Sequence, residues 1–367
     1  MYLCEVVPDF DFSSAAFRAL FEKSGASAFQ HALWQQAMAR HVAALRGAEP
    51  CTLVISATPG AAPCFVLPLI RRRIGPFRVL EYANFGLVDY AAPVIDPACQ
   101  ESLLADPELP AAIRSALPRH DLLWIKHIRT RDCAFAALFA KARLIPAGFS
   151  GHAAELGDEF ATWRLQGLSA NRRGHINRKR KAMAREGAVH FAILSDPQEI
   201  ERAFASLRAF RARRFEAEKG HDYMQNAASF RFYRDLAISG AQSGFALSAR
   251  LSLNDVPVAV VFGLLERGRY YYLLPGADYA RFGAFSPGQV MLDHLIEAVI
   301  DRGGRVFDFT IGDEGYKASF GTVAEPIATL AEPRGALARL GLPLALWLRE
   351  RLRRRRQGRS DRSAAIT

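Results

Sequence analysis

FSPGQVMLDHLIEAVIDRGGRVFDFTIGDEGYKASFG, residues 285–321, decides the fold. Ser286 stands where a helix N-cap belongs, with Pro287 at the first helical position and Gly288 after it. Apolar residues then recur at helical spacing from Gly288 to Arg302, and Gly303-Gly304 supply the stop. Val306 to Ile311 is short and apolar, which predicts a buried strand, yet it carries Asp308 between Phe307 and Phe309. A buried carboxylate is costly unless it is hydrogen-bonded or has a task. Asp313, Glu314, Tyr316 and Lys317 crowd the turn after it. Strand ends of open α/β sheets are where ligands collect. These groups therefore form a candidate site, with a general base (Asp308 ahead of Asp313), a proton donor (Tyr316) and an anion contact (Lys317). A solvated turn with a locally satisfied Asp308 also accounts for the same residues.

Upstream of this block, the aromatic run Arg269–Leu274 reads as a strand, and a glycine-containing loop with Arg281 leads into the helix. A helix start after such a loop offers backbone N–H groups and a positive dipole end to a phosphate. Capping alone also explains it. The preceding pattern is helices near 170–186, 197–218 and 229–238, then strands near 246–253, 256–265 and 269–274. The first half follows a similar order. Helices are expected at 15–23 and 28–45, strands at 52–57, 64–70 and 79–82, one helix over 101–117 and a buried strand at 122–128. A helix over 135–142 and an extended segment over 144–156 complete it. Two α/β units with mixed, mostly antiparallel sheets flanked by helices are the simplest account. The boundaries expected are residues 1–157, 158–334 and a basic tail, 335–367.

Three further features bear on function. Arg172, Arg173, Arg178, Lys179, Arg180, Lys181 and Arg185 load one helix with cations, either to neutralise phosphates or as a solvated face. Asn84, Asp89 and Tyr90 enter an apolar stretch from a glycine turn and would line a cleft between the halves, although ordinary turn chemistry explains Asn84 and Gly86 equally well. The tail between Arg349 and Arg362 holds eight Arg against Glu350 and Asp361, more than half of the chain's net charge of +11. With the apolar stripe before it, this tail would rest on anionic lipid.

The composition excludes several classes. The five Cys are odd in number and scattered, without CxxC or Cys/His spacing, so no metal site and no disulfide framework is expected and a reducing cytoplasm fits. The first residues show no signal-peptide pattern and no stretch reaches a membrane span's length. No GxGxxG after a strand, GxxxxGK[ST], GxSxG or HExxH occurs.

With these residues in hand, 285–321 resembles the acetyltransferases of the CelD type, found with bacterial cellulose and exopolysaccharide synthesis. It carries an SPG helix start, a DF strand and a GDExYK turn. More distantly the chain is similar to Fem-type peptidyltransferases. The resemblance implies two N-acetyltransferase-like (GNAT) lobes, an acyl-CoA donor, acetyl-CoA foremost, and no metal. It implies an amine or hydroxyl acceptor, either a small molecule or a glycan. It places Ser286, Gly288 and Gln289 at the donor's phosphates with Arg281, and Tyr272 and Leu274 along its pantetheine arm. It makes Asp308, Asp313, Tyr316 and Lys317 the reacting segment, and sets Asn84, Asp89, Tyr90 and Arg178 toward the acceptor. The pyrophosphate signature of N-acetyltransferases is met loosely by Arg281-Phe-Gly-Ala-Phe-Ser286. Fem-type relatives use aminoacyl-tRNA instead, which the basic helix would suit. A third alternative is a non-catalytic partner of a membrane polysaccharide synthase.

Overall fold

The computed structural model of the chain describes residues 2–42, 47–217 and 222–335, together with Arg339 and Gly341. The amphipathic stretch and Arg run expected of the tail, and its contact with a membrane, lie outside the described residues. Among the described residues no helix is long and apolar enough to cross a membrane.

The first half runs β1 (Leu3–Val7), α1 (Ala15–Lys23), α2 (Ala32–His41), β2 (Glu49–Pro50), β3 (Thr52–Ser56), β4 (Pro63–Leu67), β5 (Leu69–Ile74) and β6 (Phe77–Tyr82). It continues through β7 (Val94–Ile95), α3 (Pro97–Ala105), α4 (Leu109–Ala116), β8 (Leu122–Arg129) and β9 (Arg143–Glu155). The second half runs α5 (Phe160–Gly167), α6 (Ala170–Glu186), β10 (Val189–Leu194), α7 (Pro197–Ala217), α8 (Ala227–Ala241), β11 (Ala246–Leu253), β12 (Val256–Glu266) and β13 (Arg269–Ala277). It ends with α9 (Tyr279–Phe282), α10 (Pro287–Asp301), β14 (Val306–Ile311) and β15 (Val323–Pro333).

The strands behave as their residues dictate. β11 and β14 fall where apolar patterning puts them. The helix expected over 101–117 is two helices, because Asp106-Pro107 breaks it: a residue before proline is driven out of the helical region. The helix expected over 135–142 is instead a 3-10 segment, Thr130–Leu138. The run expected as one strand over 64–70 breaks at Pro68, where the chain passes from the small sheet into the large one. β1 and β10 were not expected. Both are edge strands with a mostly part-exposed pattern, so neither shows an apolar run.

β1, β3, β4 and β7 form a small sheet, and the other eleven strands form one sheet in the order β10-β11-β12-β13-β14-β9-β15-β8-β6-β5-β2. The order shows the repeat and how it is joined. In each half an antiparallel hairpin leads to a parallel pair: β5–β6 then β6–β8, and β12–β13 then β13–β14. Each half then gives its last strand away. β9 pairs with β14 of the second half, β15 pairs with β8 of the first, and β9 and β15 pair with each other. The fold is therefore two tandem GNAT-like lobes on one sheet. The largest core cluster runs through both, from Trp34 and Ile125 to Phe204 and Tyr271. A second cluster lies under α5, α6 and α10.

Much of the basic helix serves this packing. Asp293, fully buried on α10, receives Arg164 Nε of α5 at 2.8 Å and Arg180 Nη1 of α6 at 2.6 Å. Arg173 closes the end of α5 through the Leu165 carbonyl at 3.1 Å and the Leu168 carbonyl. Lys179 donates to the Ala284 carbonyl at 2.5 Å. Asp293→Ala strands two guanidinium groups in a partly buried site, and we expect a loss of about 3–5 kcal/mol, read as the shift of the urea unfolding midpoint.

Candidate functional site

β13 and β14 pair at only three positions, Arg269–Val306, Tyr270–Phe307 and Tyr271–Asp308, and then part. A bulge on β13 between Tyr272 and Leu274 turns the strand. On the other side Thr310 takes a left-handed φ of 59°. Beside the end of β13, between β12, α7, α9 and the start of α10, a cleft of about 750 Å³ opens. Of the residues singled out in the sequence, Tyr272, Gly288, Gln289 and Tyr316 line it. Its floor is apolar, with Val261 and Met291.

Its mouth is cationic. Arg172 of α6 lines the cleft with its ring-side face on Phe320, 4.7 Å from the centroid. Its Nε and Nη2 are buried without a hydrogen-bond partner among the described residues, and burial pulls its pKa below the usual value. Gln289 Oε1 is likewise buried without a partner. Unpaired polar groups of this kind are rare and call for a ligand or water. Beside them α10 begins. Pro287 has no N–H, and the Gln289 and Val290 N–H groups turn back on the Ser286 carbonyl, so Gly288 carries the first N–H of the helix. A Cβ on Gly288 would lie 2.5 Å from the Tyr279 hydroxyl, so a larger residue there would displace that exposed side chain. Ser286 holds the cap position with φ 51°, and its side chain makes no capping bond. α7 contributes Arg213 and Arg214 to the rim, and Arg213 faces Asp278 at 3.4 Å. Arg211, paired with the buried Asp222 at 2.9 Å, braces the Pro275 carbonyl at 3.2 Å. Sequence reading missed these α7 arginines and Tyr279. The repeated Arg at 211, 213 and 214 was the available signal.

The other expected residues lie elsewhere. Leu274 is buried in the core on the opposite face, and Arg281 and Arg178 are exposed. Asp313 accepts the Ser150 N–H at 3.1 Å and His152 Nε2 at 2.9 Å, fixing the turn to β9. Lys317 is buried and spends its ammonium on the Ile311 and Gly312 carbonyls, at 3.0 and 2.9 Å, and on Glu314 at 2.8 Å. It thereby ties the turn to the end of β14. Tyr316 is left pointing into the cleft. Burial, then Glu314, pushes its phenol well above its ordinary pKa, so it holds its proton.

Asp308 is 2% exposed and joins the lobes. Tyr90 donates to its Oδ1 at 2.8 Å, the Thr310 N–H donates to the same oxygen at 2.8 Å, and Arg269 Nη1 donates to Oδ2 at 3.0 Å. Tyr90 reaches it across Gly151 of β9, where a Cβ would lie 2.6 Å from the phenol oxygen. Arg129 covers the Tyr90 ring at 4.7 Å. Next to this knot Asp89 sits against Thr310. Its pKa is raised to about 7, by burial first and by the Asp308 carboxylate, against the Thr310 hydrogen bond and Lys317. Asn84 lies apart, donating to the Val88 carbonyl at 2.8 Å.

The comparisons with known proteins agree with this geometry at the level of the fold. Residues 170–318, which lie in the second half of the chain, match the family described as Acetyltransferase (GNAT) domain. A search of curated protein sequences finds no match. Among solved structures the chain is similar to FemX, with a TM-score of 0.61, 13% identity, and 86% of this chain and 94% of that one covered. It is also similar to the C-terminal domain of a putative lysylphosphatidylglycerol synthetase from Agrobacterium fabrum, with a TM-score of 0.54, 14% identity and coverage of 92% and 96%. L-PGS from Bacillus licheniformis has a TM-score of 0.54, 12% identity and coverage of 91% and 95%. At such identities the likeness is one of fold.

The hydrogen bonds of Asp308 predict a stability effect apart from any chemistry. Asp308→Asn loses the charge that Arg269 and Tyr90 share, and we expect about 2–4 kcal/mol of destabilisation, seen as a lower thermal midpoint without substrate.

Proposed function

We propose that the chain is an acyl-CoA-dependent N- or O-acyltransferase, acetyl-CoA being the first donor to test, acting on an amine or hydroxyl of a small molecule or glycan. A role in polysaccharide or cell-envelope assembly, as in the CelD type, is part of this reading. The observation that carries it is the Arg172 guanidinium, two of whose nitrogens are buried without a hydrogen-bond partner among the described residues, beside the start of α10 at an apolar cleft. That arrangement fits a phosphate-bearing donor with a long, narrow arm. Arg172, Gln289 and the Gly288 N–H would hold the phosphates, and Tyr272 would flank the arm.

The residues then divide the chemistry. Asp89, rather than Asp308, takes the proton from the acceptor: Asp308 has both oxygens engaged, while Asp89 has a pKa of about 7. The acceptor's nitrogen or oxygen bonds to the acyl carbon as the carbon–sulfur bond breaks. Tyr316 gives its proton to the leaving sulfur. Backbone N–H groups of β13 beyond Tyr271, where the pairing with β14 has ended, would polarise the acyl carbonyl.

A Fem-type, aminoacyl-tRNA-dependent transfer is the second reading, favoured by the exposed Arg178, Lys181 and Arg185 on α6. Binding of tRNA that weakens steeply with salt, without affinity for CoA, would select it.

Two measurements test the first reading. In calorimetry with acetyl-CoA, Arg172→Ala should weaken binding by about tenfold or more, since a charge-assisted contact to phosphate is lost. No heat from the wild type with acetyl-CoA, longer acyl-CoAs or free CoA sinks the CoA reading. A base must be deprotonated to act, so kcat/KM should rise with pH through the Asp89 pKa of about 7 and level off above it. Asp89→Asn should remove this limb and lower kcat by about 10²–10⁴-fold. An unchanged profile in that variant refutes the assignment.

A further inference from the structure

The first lobe contains a second parting of strands that acyl transfer does not use. β6 and β8 pair in parallel at Val79–Leu122, Leu80–Leu123 and Glu81–Trp124, and then separate, repeating the three pairs of β13 and β14. As Thr310 does in β14, His127 in β8 takes a left-handed conformation just beyond the last pair, with φ 64°. The notch between these strands is a separate cleft of about 270 Å³. With neighbouring strands about 4.8 Å apart and β9 and β15 between the two parallel pairs, the notches lie on the order of 20 Å from each other.

Its chemistry differs from that of the first cleft. The helix that follows, α3, has its N-terminus taken by its own cap, Asp96 accepting the Ala98 N–H at 3.0 Å, so no phosphate is invited there. Arg72 donates to Glu81, which is 8% exposed, and the pair is neutral as a unit. Around it stand the half-buried Trp124 and Phe85 rings and the Asn84 amide. Strain gathers here too: Phe85 at φ 50° and His127, neither of them glycine, both adopt left-handed backbone on the rim. A bulky residue such as Phe85 is a rare occupant of that region, and such strain clusters at ligand clamps.

We propose that this notch is a binding site for a neutral, polyhydroxylated ring, a single saccharide unit. Aromatic faces meet the apolar side of the ring, and a paired carboxylate, a guanidinium and an amide meet its hydroxyls as acceptor and donors. The site is wired to the interlobe knot. Asn84 Nδ2 and His127 Nδ1 both donate to the Val88 carbonyl, each at 2.8 Å, and the Ala91 N–H donates to the His127 carbonyl at 2.9 Å. The clamped segment carries Asp89 and Tyr90. A ring that touches Asn84 and His127 therefore acts on the loop that presents Asp89.

The test is binding, which does not depend on turnover. D-glucose, D-galactose and N-acetyl-D-glucosamine are titrated into the full chain and followed by saturation-transfer NMR and calorimetry, with sodium phosphate as a competing anion. At least one sugar should bind saturably. Trp124→Ala should weaken it by about tenfold, Trp124→Phe should weaken it less, and Arg172→Ala should leave it unchanged. Phe85→Asn removes a ring while suiting the left-handed backbone, so a lower affinity there, with an unchanged melting temperature, reports the site and not the fold. Three results overturn the proposal: no saturable binding of any of the three sugars, binding displaced by phosphate, or binding that survives Trp124→Ala and is lost with Arg172→Ala. The last would put the sugar in the acyl-transfer cleft.

Discussion

The pairing of β9 with β15 is the constraint on which the molecule depends. Each is the last strand of its own half, and each completes the other half's part of the sheet. Without the pair, β8 and β14 would both end as open edges, with unpaired N–H and C=O groups next to buried aromatic residues. With it, a duplicated unit becomes one sheet and one main core. The exchange also lays Gly151 of β9 where Tyr90 of one lobe meets Asp308 of the other.

A sheet completed in this way can tolerate a gap within it. Parallel strands joined by a helix need pair only as far as their side chains pack. β13 and β14 stop after Tyr271–Asp308, β6 and β8 after Glu81–Trp124. What fills each gap depends on the helix beyond it. α10 begins with Pro287 and Gly288 under cations from α6 and α7, so that gap suits an anion with an apolar arm. α3 begins on the Asp96 carboxylate, so its gap suits a neutral guest.

The buried charges show the difference between holding and reacting. Asp293, Asp308 and Lys317 are all in the core, and all have their hydrogen-bonding capacity spent on named partners. Burying a charge demands this. Arg172, Gln289 and Tyr316, by contrast, line the first cleft, and among the described residues Arg172 and Gln289 keep buried polar atoms without a partner. The segment 308–320 is thus largely a brace. Asp308 anchors its start, Asp313 and Lys317 fasten its turn, and Tyr316 is presented by what they hold.

The sequence determined the elements and their repetition, because apolar periodicity, proline and glycine act over a few residues. Ser286-Pro287-Gly288 marked the start of α10, Val306–Ile311 marked β14, and the two halves could be seen to share an order. It also marked Asp308, since a carboxylate between Phe307 and Phe309 must have partners. It could not say which partners. Tyr90 lies 218 positions away in the chain and Arg269 lies on the neighbouring strand, and their pairing rests on a strand exchange that leaves no local pattern. For the same reason a basic helix looked uniform. Only tertiary packing divided it, giving Arg180 to Asp293, Arg173 to the end of α5 and Lys179 to a carbonyl, while Arg172 keeps two nitrogens at the cleft without a hydrogen-bond partner among the described residues. Local sequence fixes where a charge sits along a helix. Its availability is set by what the fold brings within about 3 Å of it.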